Sequence, residues 1–501
     1  MNETYTLKNG MTLTDEGQVA LFTRLLELQP HFNINFPHNE IGLGNLFAEC
    51  FKQRLRFCVD NQQWYIYNNG VWRLDKGEIK TQENMQTLLM MLPWYGDEIQ
   101  TDDNKEVVEK YVKFIHKSST DVVLRRCINT SKNMMTIELT EFDSNPYLLN
   151  TTNGVYDLRT GQRVENKPEL YLTKKTNTYP AHALTQPCER WYQFIDEIMS
   201  HDKEKAAFLQ RALGYSIFGV NREECMFLAY GAKTRNGKGT LMSTLQKALS
   251  SGYMESVDTD LICVDKRGKI KDFNAPQPAL RKIVGSRIVT MSENERDVLL
   301  ASAAVKSITG RDELTTRGLH ENPISFVPQF KMWLSTNYLP AVNDDTVFKS
   351  DRIWVIEFNE TFVSKDKRDD KLKEYFEKAE NLPTILKWLM DGCKDYLENG
   401  LNPPKCVLDA TKAYRDAYDR VGLFIKECCE LGEGKKVIRG NLSAAYERWC
   451  RKPENRFTPL GSQKFFNEMQ LRGFQISKIQ GDYYFKGIEL LPMSTGVIPL
   501  F

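Results

Sequence analysis

The stretch Gly231-Ala232-Lys233-Thr234-Arg235-Asn236-Gly237-Lys238-Gly239-Thr240 is bracketed by glycine and carries one well-placed lysine. Loop amides and the start of a following helix can face an anion there, and Lys238 can bring a point charge to the outer phosphates of a nucleotide. The strict phosphate-loop pattern is broken twice. Five residues instead of four separate Gly231 from Gly237, and Gly239 stands where a magnesium-binding Ser or Thr is expected, which makes Thr240 the candidate for that role. Gly231, Arg235, Asn236, Gly237, Lys238, Gly239 and Thr240 are therefore the expected nucleotide contacts, with ATP and Mg2+ as the expected cofactors. Further along, Ser292-Glu293-Asn294-Glu295 delivers two carboxylates, Asn337 closes an apolar run, and Arg352 precedes another. A carboxylate at Glu293 can hold magnesium or orient the attacking water, and an arginine can stabilise the charge that spreads over a transferred phosphoryl group. Each feature alone also reads as an ordinary turn or strand tip; their order along the chain favours the chemistry.

Such groups need a scaffold that brings strand ends together. Cys225–Tyr230 is an apolar run of strand length that ends at the loop, and Leu241, Leu245 and Leu249 recur at helical spacing after it. The β-branched run Arg287–Thr290 and the apolar run Lys331–Leu334 place their polar groups at their carboxyl ends, where open parallel sheets hold ligands. Asp351–Phe358 reads as one more strand. Before this block, Leu43, Leu46, Phe47 and Cys50 predict a helix, Leu55–Val59 and Trp64–Trp72 a hairpin with an Asn69-Gly70 turn, residues 104–132 a mixed-charge helical stretch, and Asn153-Gly154 a second turn. The fold class expected is multidomain α/β. An N-terminal α+β domain fills 1–190, a helical connector 191–222, a phosphate-loop ATPase with a parallel sheet 223–362, and a helical linker with a winged-helix-like domain 363–501.

Composition bounds the class. The 501 residues are 41% hydrophobic and 27% charged, which suits a folded globular protein and excludes a fibre or a largely disordered chain. Lys+Arg at 67 against Asp+Glu at 66 leaves a net charge of +1, so a nucleic-acid surface must be a local arrangement. The eleven cysteines form no CxxC pair, which speaks for reduced thiols and against a zinc ribbon. No apolar run approaches the length of a membrane span, and the opening residues lack the pattern of a secretory signal, so the expected location is the cytoplasm.

With the Lys306-Ser307-Ile308-Thr309-Gly310-Arg311-Asp312 block and Ser335-Thr336-Asn337-Tyr338-Leu339-Pro340 added, the chain resembles the superfamily-three helicases, ring ATPases of small DNA viruses, phages and plasmids. More closely, Phe142–Asn150 with Asn153–Leu158 is similar to the N-terminal region of phage and plasmid primase-helicase proteins related to the poxvirus helicase-primase. The resemblance implies an AAA+-like hexameric ring that moves on single-stranded DNA in the cytoplasm of a bacterial host, with phage or host replication proteins as partners. It casts Lys238 on the β/γ phosphates, Glu293 as the water-polarising or magnesium-holding acid with Glu295 assisting, Asn337 as the γ-phosphate sensor, and Arg352 as a finger into the neighbouring subunit's nucleotide. It also puts a basic hairpin before the sensor strand, here Arg317–Asn322 with His320 at its tip and Lys306 and Arg311 nearby, against DNA.

The basic run Lys266, Arg267, Lys269, Lys271, Arg281, Lys282 and Arg287 reads either as a solvated face or as phosphate contacts. Helical text through Val421, Phe424, Ile425 and Leu431, then 441–449 and 462–471, followed by a hairpin about Gly481-Asp482, predicts a winged helix whose Gln463, Lys464 and Asn467 face a DNA groove; a structural three-helix cap is the alternative. The function expected is an ATP-dependent replicative DNA helicase. An ATP-controlled DNA-binding initiator without unwinding and a bifunctional primase-helicase are the alternatives. The scattered His31, His38, His116 and His182, with no Asp-x-Asp on a strand, give no primase centre in 1–190.

Overall fold

The computed structural model describes residues 4–183, 185–264, 277–293, 298–318, 323–342, 346–363, 369–455 and 457–492. The chain divides into two compact units. One holds Met1–Pro180 with Ala248–Tyr253 and Arg317–Phe326, the other Ala181–Lys247, Met254–Thr316 and Val327–Phe501.

In the first unit the helices Glu16–Leu28, Glu40–Phe51, Ile79–Ile99, Lys105–Ser118 and Asp121–Ser131 share a core with a small sheet. Asp15, Asn39 and Thr120 start three of these helices by accepting a backbone N–H of the first turn. The sheet is made of Leu55–Cys58, Gln63–Asn68, Val71–Leu74 and Thr136–Ile137. The tight turn between its second and third strands is made by Asn69 (φ 49°) and Gly70 (φ 79°), both left-handed, as a two-residue hairpin turn requires. A second sheet, Leu148–Thr151, Gly154–Asp157 and Gln162–Val164, turns between its first two strands through Thr152 and Asn153, with Gly154 opening the second strand. The hairpins and the helices over 105–131 fall where the sequence predicts them. The helices Glu16–Leu28 and Ile79–Ile99 were not predicted; the second contains Pro93, which breaks the usual helical text.

The second unit is built on five parallel strands. In chain order its elements are α1 (Glu189–Ile198), α2 (Lys203–Ile217), β1 (Met226–Tyr230), α3 (Lys238–Leu249), β2 (Met254–Ser256), β3 (Ile288–Glu293), α4 (Ser302–Thr309), β4 (Lys331–Thr336), β5 (Ile353–Glu357), α5 (Leu382–Asn399) and α6 (Lys405–Ala417). The strands lie side by side as β2-β3-β4-β1-β5. Met226, Phe227, Leu228 and Ala229 are fully buried, which is why β1 is written as an unbroken apolar run: a central parallel strand is covered on both faces. Helices α2 and α5 cross at two glycines. A methyl on Gly214 would sit 2.1 Å from the Cys393 nitrogen, and one on Gly392 would sit 2.2 Å from the Gln210 carbonyl oxygen.

Beyond α6 come Arg420–Cys428, the strand Cys429–Ile438, helices Arg439–Cys450 and Ser462–Leu471, and the strands Ile476–Ile479 and Asp482–Leu490, with the long last strand in the middle of a three-stranded antiparallel sheet. These elements share a core of their own around Phe424, Tyr446, Phe465 and Phe485. The sequence reading carries the first of these helices through Leu431. The structure ends it at Cys428 and starts a strand at Cys429, in which Cys429 and Val437 are buried and Leu431 is exposed.

Helix α6 belongs to the sheet. The Val355 N–H on the outer strand β5 donates to the Thr411 hydroxyl at 3.0 Å, and the buried Tyr414 hydroxyl donates to the Pro340 carbonyl at 2.7 Å. A chain ending at Tyr418 should keep one cooperative melting transition, whereas one ending at Asn402 uncovers a strand edge and loses the buried Val407 and Tyr414. Losing a large core side chain costs ~3–5 kcal/mol, enough to lower the melting temperature by about 10 °C. Calorimetry on the two truncations checks this, and equal melting temperatures would show that α6 is dispensable.

Candidate nucleotide site

Strands β1 and β4 end in register, Tyr230 opposite Thr336. The Gly231 N–H donates to the Thr336 carbonyl at 3.1 Å and fixes where the loop departs. The loop then doubles back through two left-handed residues, Arg235 (φ 56°) and Gly237 (φ 85°). Asn236 is buried and donates from Nδ2 to the Lys233 carbonyl at 2.8 Å, bracing the bend. Gly237 has no room for a side chain, since a Cβ there would lie 2.4 Å from Ile198 Cγ2 on α1. Helix α3 starts at Lys238, so the loop ends on a turn whose first N–H groups lack intrahelical partners.

Lys238 is only 7% exposed. Its Nζ donates to the Thr336 carbonyl at 2.8 Å, to Asn337 Oδ1 at 3.0 Å and to the Gly231 carbonyl at 3.4 Å. All three acceptors are neutral. Burial pushes the ammonium down to about 8, and no carboxylate among the described side chains opposes the shift. Among those side chains the ammonium has no counter-charge, and a phosphate would supply one.

The structure brings Lys238 and Asn337 into contact, as expected. Thr240 sits half-buried in the first turn of α3 and lines a cavity of about 260 Å³ together with Gly237 and Arg235. Gly239 is exposed, and a Cβ there would meet nothing within 4 Å, so sterics do not demand glycine at that position. Glu293 ends β3 with its Cα paired to that of Thr336, the residue whose carbonyl holds Lys238. Glu295 lies outside the described residues. Thr240 and Glu293 carry a hydroxyl and a carboxylate, oxygen-donor types that Mg2+ takes.

Arg352 sits at the opposite end of the sheet. Its carbonyl accepts from the Met226 N–H, at the start of β1, and the five residues of β1 at ~3.3 Å each separate it from the loop. Its side chain is 17% exposed. Nη2 meets Glu224 Oε2 at 2.8 Å, and Nη1 donates to the Thr309 hydroxyl at 2.9 Å. Arg311 Nε reaches the other Glu224 oxygen at 3.2 Å and the Asn221 carbonyl at 3.0 Å. Two arginines thus hold one carboxylate, and Glu224 itself sits at φ 48°. No sequence signal links Glu224 to Arg352, because they meet across 128 residues.

The proposed DNA contacts are scattered. Lys306 and Arg311 lie at and just beyond the end of α4, exposed Arg317 belongs to the other unit, and His320 is outside the described residues, as are Lys266, Arg267, Lys269 and Lys271. Lys282 is half exposed and pairs with Glu255 at 3.0 Å. Arg287 leaves the run, since it is 3% exposed just before β3, which removes it from any solvated or DNA-facing surface. Gln463, Lys464 and Asn467 share an exposed face of their helix, with Gln463 Nε2 3.2 Å from Asn467 Oδ1. Sequence reasoning also missed the wall behind the loop. Trp191, Phe194, Ile195 and Ile198 read as the apolar stripe of a connector, and that stripe is the surface the loop packs on.

Comparison with known proteins agrees with the family resemblance. Residues 44–200 match the family described as D5 N terminal like. The protein named "Putative helicase L207/L206" of Acanthamoeba polyphaga mimivirus is 26% identical over 407 residues, 73% of this chain and 40% of that protein. "Putative helicase 121R" of Invertebrate iridescent virus 3 is 22% identical over 415 residues, 74% of this chain and 42% of that protein. The resemblance to viral helicases and to the poxvirus-related primase-helicases is shown. This chain spans about two fifths of the length of these two relatives. An alignment with the solved C-terminal region of NrS-1 covers 90% of this chain and 100% of that one, at 12% identity and a TM-score of 0.44.

Lys238→Met should abolish nucleotide binding without weakening the fold. The Thr336 carbonyl keeps its bond from the Gly231 N–H, and the variant no longer carries a desolvated charge. In thermal melts, ADP at a hundredfold its Kd should stabilise the parent chain by ~2.7 kcal/mol and the variant not at all. The nucleotide-free melting temperature should stay level or rise. A nucleotide shift that survives in Lys238→Met would remove Lys238 from the site.

Proposed function

We propose that this chain is the motor of an ATP-dependent replicative DNA helicase of a phage or related mobile element, working as a hexameric ring on single-stranded DNA. The observation that carries the reading is the buried Lys238 ammonium, held between the ends of β1 and β4 at the head of a helix by acceptors that are all neutral among the described side chains. In this reading Lys238 binds the β/γ phosphates and Asn337, already touching Lys238, reports on the γ-phosphate. Thr240 and Glu293 hold Mg2+, which neutralises charge developing on the phosphates when bound. Glu293 orients the attacking water, with Glu295 in support. The strand order, with the sensor strand β4 between the loop strand β1 and the acid strand β3, supports the AAA+-like assignment. The viral relatives, named as helicases, support duplex unwinding as the use of the hydrolysis.

Arg352 lies too far along β1 to serve the nucleotide of its own chain, so any catalytic role is in trans. The helix, strand, two-helix and hairpin order of the C-terminal module supports the winged-helix reading and a duplex contact through Gln463 and Lys464. A ring motor makes a particular forecast for mixtures. Arg352→Ala should bind ATP normally and hydrolyse it on the order of 10³-fold more slowly, and adding Lys238→Met protein should restore part of the rate, because mixed rings contain interfaces with one intact Lys238 and one intact Arg352. Melting curves of Arg352→Ala verify that losing the Glu224 pair leaves the fold intact. Restored activity together with ATP-dependent opening of forked DNA supports the motor. Full activity in Arg352→Ala, or hydrolysis that opens no fork, favours an initiator whose nucleotide only controls DNA binding.

A further inference from the structure

At the amino end of the sheet one carboxylate serves two arginines. Glu224 stands just before the buried Cys225 and strand β1 in a left-handed conformation, φ 48°, which a residue with a long side chain adopts only at a cost. Its Oε2 takes Arg352 Nη2 at 2.8 Å and its Oε1 takes Arg311 Nε at 3.2 Å. Arg352 Nη1 donates to the Thr309 hydroxyl at 2.9 Å and makes two long contacts, 3.4 Å each, with the Glu224 and Lys306 carbonyls. None of these contacts uses Nε, so the guanidinium keeps a donor for an acceptor from outside the chain. Three features separate this pairing from a permanent buried ion pair. The groups are not sealed, with side-chain exposures of 17% for Arg352 and 34% for Glu224. The Thr309 hydroxyl already donates its own proton to the Val305 carbonyl at 2.7 Å, so the departure of Arg352 orphans no donor there. Arg311, tied also to the Asn221 carbonyl at 3.0 Å, stays on Glu224 and keeps its charge countered. Arg352 can therefore leave without stranding a buried carboxylate, the event that makes breaking a buried pair so destabilising.

We infer that Glu224 is a positioning residue for Arg352: it parks the guanidinium within its own chain until a second copy of the chain brings a nucleotide phosphate that replaces the carboxylate. The inference rests on the ring reading above, in which Arg352 acts in trans. A phosphate offers what Glu224 offers, negative charge and paired oxygens for the N–H groups of a guanidinium. The exchange is favourable only where that phosphate arrives, so an unassembled chain keeps its arginine at home and an interface draws it out. Parking thus ties hydrolysis to assembly through one side chain, and the strength of the Glu224 bond sets how readily the arginine is handed over.

The test follows ATP hydrolysis with Mg2+ by the full chain against chain concentration, with melting curves to verify folding. The proteins are the parent, Glu224→Gln, Glu224→Gly, Arg352→Ala, and Glu224→Gln combined with Arg352→Ala. Glu224→Gln keeps the shape and exchanges a charge-assisted bond for a neutral one of roughly half the strength, so its rate per chain should rise by about threefold to tenfold at the concentration where the parent is half-maximal. Glu224→Gly suits the left-handed backbone, should fold at least as well, and should show a rise at least as large. The rise should vanish in the combined variant, a dependence on Arg352 that a merely structural ion pair does not produce. Rates of the folded Glu224 variants at or below the parental value, or a rise that survives without Arg352, overturn the parking role and leave the phosphate loop and the ring standing. Loss of the fold in both Glu224 variants also overturns it, since the pair is then structural. Parental activity in Arg352→Ala alone overturns the trans reading itself, and the parking role falls with it.

Discussion

A single buried charge organises the second unit. Lys238 can be held 7% exposed only because β1 and β4 end in register and turn a carbonyl and an amide oxygen toward it. Everything that fixes those two strand ends therefore acts on the charge. The apolar interior of β1 locks its position, the Gly231 to Thr336 hydrogen bond sets the exit of the loop, and the contact of Gly237 with Ile198 presses the loop onto α1. Dipoles hold the ammonium, and its burial is the physical reason its proton is weakly held.

The parallel sheet has two chemically different ends. The carboxyl end gathers Lys238, Asn337 and the last residue of β3, and the amino end gathers Arg352, Arg311 and Glu224. The first cluster lacks negative charge among its described side chains, and the second satisfies its arginines from within the chain. A side chain paired this way is pre-positioned, and moving it onto another chain's phosphate means giving up Glu224, Thr309 and two carbonyls. If Arg352 reaches across an interface, Glu224 is what it leaves behind, so the two ends of the sheet are linked through what each lacks or holds.

The sequence made the second unit more legible than the first for a definite reason. Buried parallel strands are continuous apolar runs that end in polar residues, and β1, β3, β4 and β5 appear within a residue or two of where those runs lie. Helices Glu16–Leu28 and Ile79–Ile99 pack into a mixed core whose apolar positions are interrupted by Gly17, Arg24 and Pro93, so their periodicity is weak. At the site, the loop lysine and its Asn337 partner were readable because strand, loop and helix announce one another locally. Glu224 and the Thr336 carbonyl were not, since each acquires its role from a partner distant in sequence or from a backbone atom that any residue could supply. Arg287 shows the converse: a basic run in sequence says nothing of burial, and the start of β3 takes this arginine inside.

The proton on Lys238 offers the most direct test of this account. Burial lowers the free ammonium to about 8, and a bound phosphate must raise it again, so at pH 9 the empty site is mostly neutral and the occupied site charged. ADP binding at pH 9, followed calorimetrically in two buffers of different ionisation enthalpy, should take up close to one proton per nucleotide. Affinity should fall as pH rises above about 8. Binding with no proton uptake at pH 9, and with affinity flat through that range, would contradict the claim that a desolvated Lys238 receives the phosphate.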